Sequence, residues 1–390
     1  MDKHLNIVAF DNPYPPTYGG VIDVYYKLNA LAKQGIKIHL HFYSNKKDIA
    51  LELKNICDEI FIYNREKGLT KQFSKYPYIV LSRSSEELIK NLAKNNYPIL
   101  FEGLHTTYPI LKVNSIRKRS IIRHHNIEHD YYLGLYKSEK NILHRLYYLI
   151  ESFKLKSYLG KIKDVAYHLT ISDADAKKLT TFEFKNIKVI PPFHSFENEN
   201  WEENTKDNEP YVLYHGNLNV AENLAAVEYL IDNVFTDNTI KYVIAGSSKN
   251  NYLKKKAKSN IEIFENPTKE EINKLIANAR VIALPTFQST GVKLKLIDSL
   301  YSGQHVIVNE LMIAGFPTPE LTLLAKTTEE MKALIKEYLS KPFTSEEKQY
   351  RIQKLNLHFN NKKNAEQIIV VTDKLLGQGS PLLYFCSQLH

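Results

Sequence analysis

The sequence predicts an α/β protein built from two Rossmann-like halves in tandem. Short apolar runs alternate with longer amphipathic stretches along most of the chain. A polar, acidic segment that opens with Pro-Pro, Pro191–Pro210, interrupts this rhythm, and the rhythm then resumes. Such alternation is the pattern of parallel strands joined by crossover helices. With 390 residues, 43% hydrophobic and 24% charged, the chain has material for two compact domains and is too apolar for general disorder.

In the first half the strands are expected at Asn6–Phe10, Ile36–Tyr43, Glu59–Tyr63, Ile99–Phe101, Ser120–Arg123, His168–Ile171 and Lys188–Ile190. Between the first two lies a helix, Val21–Gln34, which Gly35 should end as a C-terminal cap. The second half repeats the scheme. Its strands are Tyr211–His215, Lys241–Ala245, Ile261–Phe264, Val281–Leu284 and His305–Val308, and its helices Ala221–Asn233, Lys269–Ala279 and Lys293–Tyr301. The expected organisation is an N-terminal domain over 1–192, a linker over 193–210, a C-terminal domain over 211–355, and a helix and tail over 356–390. That last helix should pack back on the first domain.

Composition narrows the classes. The two cysteines, Cys57 and Cys386, are far apart and no His/Cys cluster lies near them, so neither a disulfide framework nor a structural zinc site is expected. The first residues, MDKHLNIVAFDNPYPP, lack the apolar core of a signal peptide, and no apolar run reaches the ~20 residues of a membrane span. A cytoplasmic protein is expected, with any membrane contact peripheral. Charge is uneven: residues 1–190 hold 30 Lys and Arg against 19 Asp and Glu, whereas 191–390 hold 22 against 24. The basic half calls for an anionic partner. The basic residues are not clustered with aromatics in a nucleic-acid module, so nucleic acid is disfavoured.

In open parallel sheets, ligands bind beyond the carboxyl ends of the strands, so chemistry is sought in the loops that follow them. After the first strand, Gly19 and Gly20 open a helix whose N-H groups favour an anion, although two glycines there serve equally as turn residues. FEGLHTTYP places Glu102 and His105 past the fourth strand, and RHHNIEHDYY concentrates His125, Asn126 and Glu128 past the fifth. Polar contact with a hydroxylated substrate suits that loop better than a metal, because the histidine spacing fits no zinc motif. Ser172 or Asp173 reads as a helix cap. In the second half Gly216 and Asn217 follow a strand, with Asn223 just inside the next helix. Ser289, Thr290 and Gly291 form another small-residue helix start. Lys293 and Lys295 lie in its opening turns, where the helix dipole disfavours cations unless an anion sits over them.

The loops NPYPPTYGG, RHHNIEHDYY with a later ISDAD, YHGNLNVAENLAAVEYL, VIAGSS and PTFQSTGVKLKLIDSLYSG, in that order and spacing, resemble the GT-B glycosyltransferases, most closely family 4 (glycosyl transferases group 1) of bacterial polysaccharide clusters. The resemblance implies two Rossmann-like domains facing each other across a cleft, with the acceptor on the first and a nucleotide-sugar donor, UDP- or GDP-linked, on the second. It also implies hexosyl or related transfer to a glycan or lipid-linked acceptor, with retention, without metal or other cofactor. Carried over by position, His125 contacts the transferred sugar. Gly19, Gly20, Gly216, Asn217, Glu265, Asn266, Ser289, Thr290, Gly291, Lys293, Lys295 and Asp298 serve the donor, and Glu102, His105, Asn126 and Glu128 the acceptor. This chain departs from the family pattern at Thr290, where a carboxylate is usual, and in GNLNVAENL, which lacks the usual Arg and Lys. Alternatives are a degenerate nucleotide-sugar-binding protein and a sugar-nucleotide epimerase of the same architecture. The basic cluster Lys112, Arg117, Lys118, Arg119 and the aromatic, basic stretch Tyr131–Lys163 place a possible anionic membrane surface on the acceptor side.

Overall fold

The computed structural model describes every residue except 1, 47, 140, 196–208, 249–251, 289–292 and 378–390. The chain divides into two compact units. The first comprises Met1–His129, Glu151–Ser195 and the described residues from Asn360 onward; the second comprises Asp130–Ile150 and the described residues up to Phe359. The stretch 130–150, which the sequence assigns to the N-terminal domain, therefore clusters with the second unit.

The first unit holds β1 (Lys3–Ala9), β2 (Ile36–Tyr43), β3 (Glu59–Tyr63), β4 (Ile99–Glu102), β5 (Ser120–His124), β6 (Tyr167–Thr170) and β7 (Ile187–Val189). They form one parallel sheet in the order β3-β2-β1-β4-β5-β6-β7. The second unit holds β8 (Tyr211–His215), β9 (Lys241–Gly246), β10 (Ile261–Glu265), β11 (Val281–Leu284), β12 (His305–Val308) and β13 (Leu323–Leu324), in the order β10-β9-β8-β11-β12-β13. The inner strands, such as β8, β11 and β12, are buried throughout, which fits strands covered on both faces by helices, while β3, β7, β10 and β13 toward the sheet edges are only partly buried. Every expected strand is present within two residues at its C-terminal end. The two-residue β13 is additional, too short for a pattern to announce. Strand order reverses between β1 and β4 in one sheet and between β8 and β11 in the other, and these reversals are the ligand-binding positions of open α/β sheets.

Nine helices matter below: α1 (Gly19–Ala32), α2 (Glu128–Ser138), α3 (Ile142–Leu159), α4 (Asp173–Thr181), α5 (Ala221–Tyr229), α6 (Lys269–Asn278), α7 (Leu294–Ser302), α8 (Thr328–Leu339) and α9 (Asn361–Leu375). Helix α1 begins at Gly19, two residues earlier than the apolar pattern suggests, and its chain turns away at Gly35 with φ +79°. Ser172 is the cap of α4, its hydroxyl accepting the Asp175 N-H at 3.1 Å. Helix α5 passes into a π turn at Leu230–Val234, which accounts for the longer helix expected there. Helix α9 packs against α1 in the first unit.

One expectation fails near the linker. Phe193 and His194, assigned to an exposed connection, are buried. Their backbone is satisfied from inside the unit: Phe193 N-H donates to Asp23 at 2.8 Å, His194 N-H donates to Asn361 Oδ1 at 3.1 Å, and Asn361 Nδ2 returns a bond to His194 O at 2.7 Å. Buried backbone groups need such partners, and the Pro-Pro signal that suggests a loop says nothing about them.

Beyond β8 and β9 the backbones nearly touch. A Cβ at Gly246 would lie 1.7 Å from Gly216 O, while Leu218 N-H donates to Ser247 O at 2.9 Å. Gly246→Ala must push these loops apart; an urea titration should show a loss of about 1–3 kcal/mol.

Candidate functional site

In the first unit the loops after β1, β4 and β5 converge. His125, one residue past β5, has Nε2 2.8 Å from Glu102 Oε2 and Nδ1 3.9 Å from Asp23 Oδ2. Glu102 is fully buried at the end of β4, and its other oxygen accepts from Lys27 Nζ at 2.7 Å. Lys27 also donates to Asp23 at 2.9 Å, one helical turn back on α1. Arg123, on β5, grips Asp23 with two nitrogens at 2.9 and 2.8 Å and donates to Ile190 O and Pro191 O. Four full charges, two of each sign, thus lie together in the core. Burial alone would raise the pKa of both carboxyls, but it is outweighed: by Arg123 and Lys27 at Asp23, and by Lys27 and the His125 hydrogen bond at Glu102. Both carboxyls are held below their usual values.

Asp23, Glu102 and His125 present three ligand atoms within 4.8 Å of one another, the one such group among the described residues. The Lys27 ammonium contacts both carboxylates, supplying there the positive charge a divalent ion would bring. The structure gives Glu102 another role than the acceptor contact expected of it, because both its oxygens are engaged internally. It orients His125.

Further polar groups belong to the same loops. The Phe10 ring is 5.3 Å from His105 and 5.5 Å, edge-on, from His125. His105 is half-buried and its Nδ1 is sealed without a hydrogen bond. Desolvation, with Arg83 and His125 nearby, pushes its pKa well below normal, so the ring is neutral. Arg83 is buried and donates to Phe10 O at 2.7 Å. Glu128, the first residue of α2, is 5% exposed, and its carboxylate makes no hydrogen bond or ion pair among the described residues. Burial lifts its pKa to about 7 against the opposing pull of Arg83. Asn126 is half-buried between them in sequence. Gly19 and Gly20 form the first turn of α1. A Cβ at Gly20 would meet the Phe10 ring at 2.6 Å, so packing suffices to require glycine there.

In the second unit the loops after β8 and β11 meet α7. Lys293 is the N-cap residue of α7 and donates to Glu222 at 3.2 Å. Glu222, buried in the first turn of α5, also accepts from the Thr286 hydroxyl. The Gln288 amide, oriented to satisfy both its ends, donates to the other Glu222 oxygen at 2.8 Å. Lys295 donates to Asn223 Oδ1 at 2.8 Å and Tyr214 OH at 3.2 Å, and its ammonium lies 5.0 Å from the Tyr214 ring centroid. Burial, with Lys293 beside it, lowers its pKa to about 8 despite the pull of Glu222. His215 is bonded to Ser299 at 2.7 Å, and burial and Lys295 lower its pKa to about 3. The two lysines expected to share an anion are thus both near the β8/β11 reversal, each with a protein oxygen as partner.

The remaining donor candidates are distributed around these loops. Gly216 and Asn217 follow β8, where the Asn217 side chain accepts the Asn219 N-H at 3.0 Å. Glu265 ends β10 and pairs with Lys254 at 2.7 Å. Asn266 takes a left-handed conformation, φ +54°, and its amide bridges the backbone of Ser248 through two bonds of 3.0 Å. That side chain shapes the loop, leaving backbone groups for any ligand. Asp298, on α7, lies 3.9 Å from Lys269. Ser289, Thr290 and Gly291 fall outside the described residues. Sequence reasoning missed Asp23, Lys27, Arg123, Arg83 and Glu222. The first three carried a signal: charges at i and i+4 on an otherwise apolar helix, and an arginine within a strand of isoleucines.

Comparison with known proteins adds three findings. Residues 209–340 match the family described as Glycosyl transferases group 1. A 44.6 kDa protein in the cps region of Klebsiella pneumoniae is 28% identical over 338 residues, 80% of this chain and 84% of that protein. Among solved structures, the glycosyltransferase from Rickettsia africae is similar at TM-score 0.65 and 14% identity, covering 96% of this chain and 99% of that one. WaaG, a glycosyltransferase of lipopolysaccharide biosynthesis, gives 0.64 and 11% over 96% and 100%. Anabaena HepE, in complex with UDP and glucose, gives 0.64 and 11% over 94% and 98%. The fold is therefore that of the GT-B glycosyltransferases, as the sequence motifs imply, and the chain resembles the glycosyl transferases of group 1.

Proposed function

We propose that this protein is a glycosyltransferase of polysaccharide synthesis that moves a sugar from a nucleoside diphosphate donor, held by the second unit, to a hydroxyl of a glycan or lipid-linked acceptor. The family match over residues 209–340 and the group of loops after β8 and β11 support this reading together. The observation that carries it is the pair Lys293 and Lys295 at the start of α7, where the helix dipole is unfavourable to cations.

Transfer breaks the bond between the anomeric carbon and the diphosphate oxygen, whose electron pair leaves with the diphosphate. The acceptor oxygen bonds the same carbon and gives up its proton to the departing diphosphate oxygen. Stabilising the departing charge is the largest demand. In this reading Lys293 and Lys295 meet it without a metal, joined by the N-H groups of the α7 start. The Lys295 pKa of about 8 rises when an anion replaces part of its lost hydration. In the first unit, Glu128 and Asn126 bind the acceptor hydroxyl, and His125, fixed by Glu102, borders the transferred sugar. Retention of configuration follows from the resemblance and is read directly from the anomeric proton of the product.

Thermal unfolding with UDP, GDP and their common sugars tests the donor assignment, because a ligand bound only to the folded state raises the melting temperature. One of them should stabilise the protein. Lys295→Ala should abolish that shift and reduce turnover at least a hundredfold, ~3 kcal/mol of transition-state stabilisation. A full shift in the variant refutes the role. Donor binding with neither transfer nor hydrolysis would indicate a binding protein, and donor conversion without acceptor an epimerase.

A further inference from the structure

In the first unit two arginines stand together without a counter-charge. Arg65 lies two residues past β3, and Arg83 two residues past the short helix Tyr78–Leu81. The Glu66 N-H donates to Ser82 O at 2.9 Å, which holds the two segments side by side. Arg83 is buried. Its Nε donates to Phe10 O at 2.7 Å and its Nη1 to Ile79 O at 3.0 Å, while Nη2 makes no hydrogen bond among the described residues. Arg65 makes no hydrogen bond or ion pair among them, and its Nε is sealed from solvent. Both guanidinium groups act on His105, whose ring packs against Phe10 and whose Nδ1 is likewise sealed without a partner.

The nearby acids have other partners. Asp11 accepts the Tyr18 hydroxyl at 3.0 Å and the Asn12 N-H at 2.9 Å, and Glu66 pairs with Lys71. Glu128 feels Arg83 but forms no ion pair with it. Desolvation, then Arg65 beside it, lower the Arg83 pKa to about 10 against the pull of Asp11, so Arg83 stays charged at neutral pH. Adjacent cations drawn partly out of water with no acid between them are unfavourable in the free protein. A guanidinium presents parallel N-H groups that fit phosphate oxygens. Two of them match the charge of about −1.5 to −2 on a phosphate monoester, whereas one carboxylate leaves a cation unneutralised.

We propose that Arg65 and Arg83, with His105 beside them, form a phosphate-binding subsite of the first unit that takes a phosphoryl group carried by the acceptor. That the phosphoryl group belongs to an acceptor rests on the transferase reading; the anion site itself stands on the arginines.

Calorimetric titration of the full-length protein with glucose 6-phosphate, inorganic pyrophosphate, glucuronate and glucose tests it. A phosphorylated probe should bind at least tenfold tighter than glucuronate or glucose. Pyrophosphate ahead of glucose 6-phosphate marks a lipid-linked diphosphate as the source, and the reverse order a phosphorylated sugar. Arg65→Gln, which breaks no bond among the described residues, should weaken that binding at least tenfold and keep wild-type thermal unfolding. Lys67→Gln, at an exposed neighbour, should bind as the wild type does, and the Arg65-dependent binding should survive in Lys295→Ala, which alters the second unit. Equal losses in Arg65→Gln and Lys67→Gln, a loss in Lys295→Ala alone, or no wild-type preference for phosphate overturns the proposal. The thermal shift with UDP or GDP, which reports on the second unit, should persist in Arg65→Gln. Its absence from the wild type refutes the transferase reading and leaves the anion site standing without its acceptor.

Discussion

Glu128→Gln should make the protein more stable and less active, and the gain in stability should depend on pH. The carboxyl is 5% exposed, unpaired among the described residues, and lifted by burial from 4.5 to about 7. A group whose folded pKa exceeds its unfolded one binds more protons in the native state, so native stability falls as pH rises from about 4.5 to about 7 and is flat above. At pH 5 the acid is mostly neutral and the glutamine changes little. At pH 8 the wild type holds a buried charge that the glutamine lacks, and a shift of that size corresponds to about 3 kcal/mol. Urea titrations at the two pH values measure the difference directly. Transfer should fall at least tenfold, because an amide cannot accept the same hydrogen bonds from an acceptor hydroxyl. A merely structural residue would not lose activity while gaining stability. Equal stability changes at both pH values would show that the charge is compensated after all.

The strand pattern was legible because the inner strands are buried on both faces. An uninterrupted apolar run such as Val281–Leu284 needs no periodicity argument, while Ile36–Tyr43 declares itself by alternating apolar residues with Lys37, His39 and His41, and both are found at the residues expected. Where side-chain capping decided a boundary, as at Ser172, local chemistry sufficed. The segment Pro191–His194 was misread for the opposite reason. Its burial depends on Asp23, Arg123 and Asn361, which lie 170, 68 and 167 positions away from the atoms they bind, and nothing local records that.

The site was legible by position more than by role. Loops after strands are fixed by topology, so His105, His125 and Glu128 were found together, as were Lys293 and Lys295. Roles depend on distances that composition does not hold. Glu102 looked like a ligand contact until both its oxygens proved to be occupied. Glu222, in the first turn of α5 within a stretch that departs from the family pattern, holds Lys293. Under the proposed function, a donor diphosphate has to compete with that carboxylate for the Lys293 ammonium.

The largest loss of stability should follow Asp23→Ala. One carboxylate neutralises Lys27 and Arg123, accepts the Phe193 N-H, and lies 3.9 Å from His125. Its removal leaves two buried cations facing Glu102 alone. Breaking a buried ion pair from one side costs about 3–5 kcal/mol, since the desolvation of the surviving charges is no longer compensated. The Asp23 pKa is depressed in the folded protein, so its contribution is present at neutral pH and lost as pH falls below about 4, where the unfolded chain takes up the proton first. The wild type should therefore weaken steeply in acid, and the variant, already weakened at pH 7, should show a shallower acid limb in pH-dependent urea unfolding. Release should also reach the segment that Asp23 and Arg123 clamp. Proteolysis between Ile190 and Ser195 should accelerate in Asp23→Ala and remain slow in Lys3→Ala, whose salt bridge with Asp373 is solvent-exposed and contributes little. Equal rates in the two variants would mean that the clamp is held by Asn361 and α9 rather than by the buried charges.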